Sequence, residues 1–527
     1  MNIKSHLFRI RTVTGFLSLH PNDFIPRSAT TTTSTSTTTT TPSSDLVNVV
    51  DARADTDDGN DDDGVLLRRL ETSNYGVYDK ISKTVAVLRT VEDKLIRDGG
   101  YTVQTLRLAT NPFGEWLTTT AAEEEEARSK PNCDHDNAVL DLVEERLRIV
   151  DLILQKYGIE FCSLGPAVTK TPTQNNNNNP HTNDIDTDIA VAVTVCCKII
   201  GYAGGRFSCS YEVPAGCTKH ARAAAQCIVQ ISQFDDGCLG NFRFCAVADC
   251  NTPYIPFFPA AKSGSAKEHK HASANEHDDT TTIVKFAIGL ENGGLARQLL
   301  KECHSIGNIP TQFKQSMTDM LTPVQQICEN VVDTATATTT STTITIPTTT
   351  TTKIQYLGID TSLNPSLDDN GSVAEAIEQL IELNGKPFGC SGTLAAAAAI
   401  TQALQTMTNI TTVGYCGLML PVCEDVRLAQ LASSSSSSSD GQSQFQIRDL
   451  LSISSVCGVG VDTVPLAGNT DVLTIASLLL DVSGIANRWK KSLSCRVFPI
   501  PNKEVGDSTA PLFDDFPHLI NSKVMGL

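Results

Sequence analysis

KIQYLGIDTSLNPSLDDNGSVAEAIEQLIELNG, residues Lys353–Gly385, reads as a strand, a polar turn and a helix in immediate succession. KIQYLGID is short and apolar and ends in turn residues, the signature of a buried strand. GSVAEAIEQLIELNG opens on a capping box, Ser372 with Glu375, and stops at Gly385, which predicts a helix with defined ends. The same alternation recurs along the chain. Strands are predicted in RIRTVTGFLSL (from Arg9), TVQTLRLAT (Thr102), IEFCSLGPA (Ile159), NFRFCAVADC (Asn241), TIVKFAIGLE (Thr282), TVGYCGLML (Thr412), ISSVCGVGVDTV (Ile453) and LSCRVFPI (Leu493). AVLDLVEERLRIVDLILQKYG carries apolar residues at three- and four-residue spacing up to Gly158, a helix. Short apolar strands separated by helices need crossover connections, so the class is α/β with a mostly parallel sheet. Residues Ile185–Ile200 fit neither period, and helix and strand stay open there.

The chain has 527 residues, 40% hydrophobic and 19% charged, which is enough apolar material for a large core. Five tracts of biased composition read as flexible insertions: 28–64, 171–184, 262–280, 333–352 and 433–442. They cannot bury enough apolar area to offset their ordering entropy. The formal net charge of −18 lies partly in such runs, and no basic stripe interleaved with aromatics supports nucleic-acid binding. The opening MNIKSHLFRIRTVTG has no apolar secretory region, and IAVAVTVCCKII from Ile189 is too short for a membrane span and contains Lys198. With 17 cysteines and no secretory signal, reduced thiols in a cytoplasmic protein are expected.

Catalytic motifs are scarce. Gly458 and Gly460 begin a G-x-G, but Thr463 stands where a dinucleotide fingerprint needs its last small residue. GCSG at Gly389 lacks the spacing of a nucleophile elbow, and no C-x-x-C pair offers a structural zinc site. His269, His271 and His277 fall in an insertion, where incidental composition outweighs a metal site. The adjacent thiols Cys196 and Cys197 suggest radical transfer, but the C-terminal stretch has no glycyl-radical loop, and buried apolar cysteines are the expected reading. What remains is three strand-to-helix turns, where ligands gather in α/β folds. These are GIDTSLNPSLDDNGS, with Asp360, Ser362 and Asn364; GLENGGLARQLL, with Gly293 and Gly294; and KPFGCSGTLAAAAAI, with Gly392 and Thr393.

Together these motifs resemble the domain of unknown function 711, also called uncharacterised protein family 0210. FRIRTVTGFLSLHP (from Phe8) is similar to that family's Ile-Arg-Thr-Ile-Thr opening, and KIQYLGIDTSLNPSL to its Asp-Leu-Ser-Leu-Ala-Pro segment. GCSGTLAAAA (Gly389) is similar to Thr-His-Gly-Thr-Thr-Ala-Ala, and SVCGVGVDTVPLAGNT (Ser455) to Cys-Ser-Val-Gly-Leu-Asp. NTPYIPFFPAA (Asn251) looks like a drifted Asp-Asn-Pro-Phe-Met-Ala-Gly-Ala-Phe-His-Gly, with Ala260 and Ala261 and no histidine. The resemblance covers nearly all of the chain outside the insertions. It implies a pyruvate formate-lyase-like barrel of about ten strands surrounded by helices, without radical machinery. It supplies no reaction, and bacterial members often lie beside an ACT-domain protein.

The expectation is one α/β barrel domain over residues 1–527, interrupted by the insertions, that binds a small anionic metabolite. Asp360, Ser362 and Asn364 are the orienting polar groups, and Gly293, Gly294, Gly392 and Thr393 the backbone or hydroxyl donors. Asp462, after a glycine-rich strand, is the first choice as general base. Cys390 reads as a local substitution in a capped turn rather than a nucleophile. No metal and no particular cofactor is indicated, and a homo-oligomer is compatible with the sequence. The rival is a non-catalytic sensor paired with an ACT-domain protein. Convergent ionisable side chains at the barrel mouth favour the enzyme, and an apolar or filled mouth favours the sensor.

Overall fold

The strand and the helix start read at Lys353–Gly385 are both present. Strand Thr351–Asp360 runs into a turn, and Ser372 caps helix Val373–Glu378 by accepting the Glu375 N–H at 3.0 Å. The helix is shorter than its pattern suggests: a 3-10 turn, Ile381–Leu383, carries the chain on to Gly385 at φ 72°. In this computed structural model the described residues are 7–26, 62–73, 75–117, 135–167, 183–234, 237–248, 252–264, 281–338, 351–368, 370–383, 385–434 and 445–527.

The architecture is mixed α/β. Nine strands form one sheet: β1 (Arg9–Leu17), β2 (Val103–Thr110), β3 (Phe161–Ala167), β4 (Phe207–Val213), β5 (Phe244–Ala248), β6 (Thr281–Glu291), β7 (Thr351–Asp360), β8 (Gly460–Ala467) and β9 (Leu493–Ile500), in the order β7-β6-β1-β2-β3-β4-β5-β9-β8. β1 to β5 are mutually parallel, joined by the helical crossovers that such pairing demands. β6 lies antiparallel to β1 and carries β7; β9 lies antiparallel to β5 and carries β8. Helices cover the outer face, and one contiguous apolar core runs from Phe8 to Met525.

Three expectations change. Ile185–Ile200 is helical, inside Asn183–Gly201, because its buried positions Val193, Cys196, Ile199 and Ile200 recur at helical spacing. Residues 453–464 divide at Gly458 (φ 65°) into the end of helix Ile447–Cys457 and strand β8. Residues 412–420, expected as a strand, form only isolated parallel bridges. The cause is local. Gly414 and Cys416 take φ of 81° and 48°, and the Asp360 carboxylate, rather than a ladder, accepts the N–H groups of Tyr415 at 2.7 Å and Cys416 at 3.0 Å. A Cβ on Gly414 would lie 2.2 Å from that carboxylate, so only glycine fits. The segment nevertheless meets both edges of the sheet. Ile359 pairs with Thr412 and Leu363 with Leu418 beside β7, and Pro421 pairs with Asp462 of β8.

The insertions are ordered at their margins. Asp62–Gly64 begin helix Asp62–Thr72, Asn183 and Asp184 begin the helix through Gly201, Lys262 and Ser263 are buried, Asp333–Thr338 end helix Lys314–Thr338, and Thr351 and Thr352 begin β7. Residues 28–61, 171–182, 265–280, 339–350 and 435–442, with His269, His271 and His277, lie outside the described residues.

Asp360 therefore holds the bridging segment to the sheet. Asp360→Ala leaves the Ser362, Tyr415 and Cys416 N–H groups buried without an acceptor and should cost at least about 2 kcal/mol in urea unfolding, with Asp360→Asn losing less. A change below about 0.5 kcal/mol would contradict this role.

Candidate functional site

Three arginines of the sheet meet in its interior: Arg107 in β2 and Arg496 in β9 are buried, and Arg11 in β1 is partly buried. A buried guanidinium is costly without carboxylate partners, and for Arg11 and Arg496 three acids supply them. Asp462 binds Arg496 through both oxygens, at 2.6 Å to Nε and 3.0 Å to Nη2. Glu424 accepts from Arg496 Nη2 at 2.6 Å and lies 3.9 Å from Arg11. Glu291, at the end of β6, takes Arg11 at 2.5 Å and Arg9 at 3.5 Å, and Arg9 also pairs with Asp368. The result is a chain of alternating charge from Asp368 through Arg9, Glu291, Arg11, Glu424 and Arg496 to Asp462.

Arg107 stands outside that chain. It is 8% exposed, its Nε donates to Thr105 Oγ1 at 2.9 Å, and its guanidinium carbon lies 4.9 Å from the centre of the Phe161 ring. Among the described residues no carboxylate comes within ion-pair reach of it. Burial and then the neighbouring Arg11 push its pKa down to about 9, which leaves it cationic at neutral pH.

While Arg9, Glu291 and Asp368 line a separate cleft, Arg11, Arg107, Glu424, Asp462 and Arg496 line a cavity of about 60 Å³. Its other wall is the β5–β6 connection. Residues 252–264 cross the inner face of the sheet: Thr14 donates to the Pro256 carbonyl at 2.9 Å, Ser163 to those of Pro259 and Ala261 at 3.0 and 2.6 Å, and Ser263 N–H to Thr110 O at 2.9 Å. Irregular backbone is tolerated there because Pro253, Pro256 and Pro259 bring no N–H to satisfy, and these side chains meet the exposed carbonyls. Phe257, Phe258, Pro259 and Ala260 face the cavity. His518 completes the lining.

The electrostatics single out Glu424. Burial pushes its carboxyl above the ordinary range; Arg496 opposes this, and the neighbouring Asp462 reinforces it. For Arg496, Asp462 and Glu424 outweigh the burial that would lower its pKa, and raise it. Two carboxyls on one guanidinium, one of them raised, form an arrangement that can take up or release a proton.

The sequence-predicted residues divide. Asp462 and Asn364 line the cavity. Asp360 and Ser362 are fully buried behind it, their polar groups engaged with each other and with the backbone of 415–417. Gly293 and Gly294 line a separate open cleft with Arg9, Arg297 and Asp368, where the Gly293 N–H is taken by the Asn364 carbonyl at 3.1 Å. A Cβ on Gly293 would lie 1.8 Å from Gly371 O, so this glycine serves close backbone packing. Gly392 and Thr393 touch neither space; they start helix Thr393–Gln405, with the Thr393 hydroxyl accepting the Gly389 N–H at 3.2 Å. Cys390 is half-buried in the same turn, and Cys196 is fully buried, where desolvation raises its thiol. Among the described residues no group of three metal-ligating side chains occurs, and no helix is long and apolar enough to cross a membrane. Sequence reasoning missed Arg11, Arg107, Arg496, Glu424 and His518, and reached Glu291 only as part of the GLENGGLARQLL turn. For the arginines the available signal was a lone cation inside an apolar strand, as in TLRLAT and SCRVFPI.

Residues 65–511 match the family model described as Uncharacterised ACR (DUF711). The chain is similar to the UPF0210 protein of Oenococcus oeni, 32% identical over 153 residues, which are 28% of this chain and 32% of that relative. It is also similar to the UPF0210 protein of Syntrophobacter fumaroxidans (30% over 155 residues, 29% of this chain and 32% of the relative) and to UPF0210 protein MK1214 of Methanopyrus kandleri (30% over 157 residues, 29% and 32%). The matched region thus spans about a third of the length of each curated relative.

Because the folded-state pKa of Glu424 lies above that of the unfolded chain, its contribution to stability is fully present below the ordinary glutamate value and is lost as pH rises through the folded value. Glu424→Gln removes this slope. In urea titrations the wild type should lose stability relative to Glu424→Gln as pH rises above the ordinary glutamate range. A constant difference over that rise would exclude the raised carboxyl.

Proposed function

The chain belongs to the uncharacterised family DUF711, and from that membership we propose that it is a single-domain α/β barrel of the pyruvate formate-lyase type that acts, without radical chemistry, on a short anionic metabolite in its interior. The observation that carries the reading is the buried guanidinium of Arg107, which faces the cavity and has no carboxylate partner among the described residues. A cation kept this dry gains most from a ligand that brings its own negative charge. The ligand is small. About 60 Å³ gives room for roughly four or five water-sized groups, which suits a two- or three-carbon carboxylate and no nucleotide.

The barrel reading rests on residues 411–422, which are hydrogen-bonded to β7 through Ile359 and Leu363 and to β8 through Asp462. Taken as a tenth, irregular strand, the segment closes the ring and collects the cavity residues from β1, β2, β9 and the bridging segment itself. Within it Glu424 is the group suited to general acid–base work, while Asp462, the first choice from sequence, is committed to Arg496 and positions it. The rival reading, a non-catalytic sensor paired with an ACT-domain protein, calls for an apolar or filled interior. Six charged side chains on or beside this cavity favour the enzyme.

Thermal unfolding of the full chain with acetate, glycolate, lactate, pyruvate and phosphate tests the proposal. A short carboxylate at a hundredfold excess over its Kd should add about 2.7 kcal/mol of stability to the wild type, and Arg107→Met should abolish the gain. The absence of any shift in the wild type, or an undiminished shift in Arg107→Met, would overturn it.

A further inference from the structure

His518 brings a base to the cavity from an unexpected part of the chain. Residues 501–527 fold back across β8, β9 and the bridging segment: Met525 N–H donates to Pro465 O and Ile520 N–H to Cys423 O, both at 2.8 Å. The second of these bonds anchors the backbone two residues after His518 to the neighbour of Glu424. The imidazole is held by its faces and edges. It stacks on Phe242 with centroids 5.5 Å apart and planes 5° from parallel, and meets Phe516 and Phe161 edge-on at 5.7 and 6.1 Å. Neither ring nitrogen hydrogen-bonds to another described residue, and the ring lines the cavity. Burial lowers its pKa, Arg11 and Arg107 lower it further, and Glu160 opposes them, which keeps the ring neutral at neutral pH. A neutral imidazole beside a buried guanidinium offers an acceptor and a cation to the same small molecule.

We infer that the interior site is selective for short 2-hydroxy acids, with Arg107 binding the carboxylate and His518 accepting the hydroxyl hydrogen, so that His518 determines specificity. This rests on the proposal that the cavity binds a short carboxylate. A ligand without the hydroxyl leaves the imidazole nitrogen facing the cavity with no donor, and that difference is the discrimination.

Calorimetric titration with glycolate and acetate, which differ by one hydroxyl, reads the inference. The wild type should bind glycolate about tenfold more tightly than acetate. His518→Phe, which keeps the stack on Phe242, should bring the ratio near one. His518→Asn, whose amide oxygen can still accept, should keep part of the preference, and it provides the same comparison should the phenylalanine variant misfold. Equal affinities in the wild type, or a glycolate preference that survives in both variants, would refute selectivity through His518 while leaving carboxylate binding intact. Failure of both acids to bind the wild type would instead remove the carboxylate reading on which the inference stands.

Discussion

Burying arginine inside a sheet is the constraint on which this molecule depends. A guanidinium withdrawn from water costs several kcal/mol unless a carboxylate meets it in good geometry. Arg11, Arg107 and Arg496 make that demand from three strands of one sheet. Glu291 at the end of β6, Glu424 in the bridging segment and Asp462 in β8 answer it for two of them. Because those acids come from separate parts of the chain, satisfying the charges fixes how β1, β6, β8, β9 and the bridging segment stand toward one another. The same bonds that orient the strands assemble the chemistry. Arg107 is the member left without a carboxylate partner among the described residues.

Much of the scaffold was legible in the sequence because it obeys local rules. The Ser372 cap, the apolar strands from Arg9 to Leu17 and from Leu493 to Ile500, and the helix ending before Gly158 follow from short-range periodicity and turn chemistry. So does the α/β class. The family was legible too, through the order of several weak motifs, and the match over residues 65–511 bears it out. Other features depend on contacts between residues far apart in the sequence. Residues 412–420 look like a strand, but the Asp360 carboxylate takes two of the N–H groups a ladder would use. The segment 185–200 becomes a helix because tertiary packing decides a pattern that periodicity leaves open.

The candidate site was read in part. Asn364 and Asp462 do face the interior, although Asp462 does so as the partner of Arg496. The glycines at 293 and 392 resemble ligand turns in sequence, yet their freedom is used for backbone approach and helix capping. A glycine-rich turn has the same local signature whether a ligand or another chain segment comes close. Glu424 follows a proline and a cysteine in PVCED, where nothing local marks it as buried. Its character comes from Arg496, some seventy residues away in sequence.

The connection between β5 and β6 has an implication for how this architecture changes. Residues 252–264 cross one face of the sheet and wall the cavity, and they are held there by hydroxyls of Thr14 and Ser163 and by the main chain of Thr110. The size of the cavity is therefore set in part by one proline-studded excursion, while the facing strands supply the charged groups. Lengthening, shortening or resequencing that excursion would retune the capacity of the chamber without disturbing a single strand register, giving evolution a dial separate from the frame.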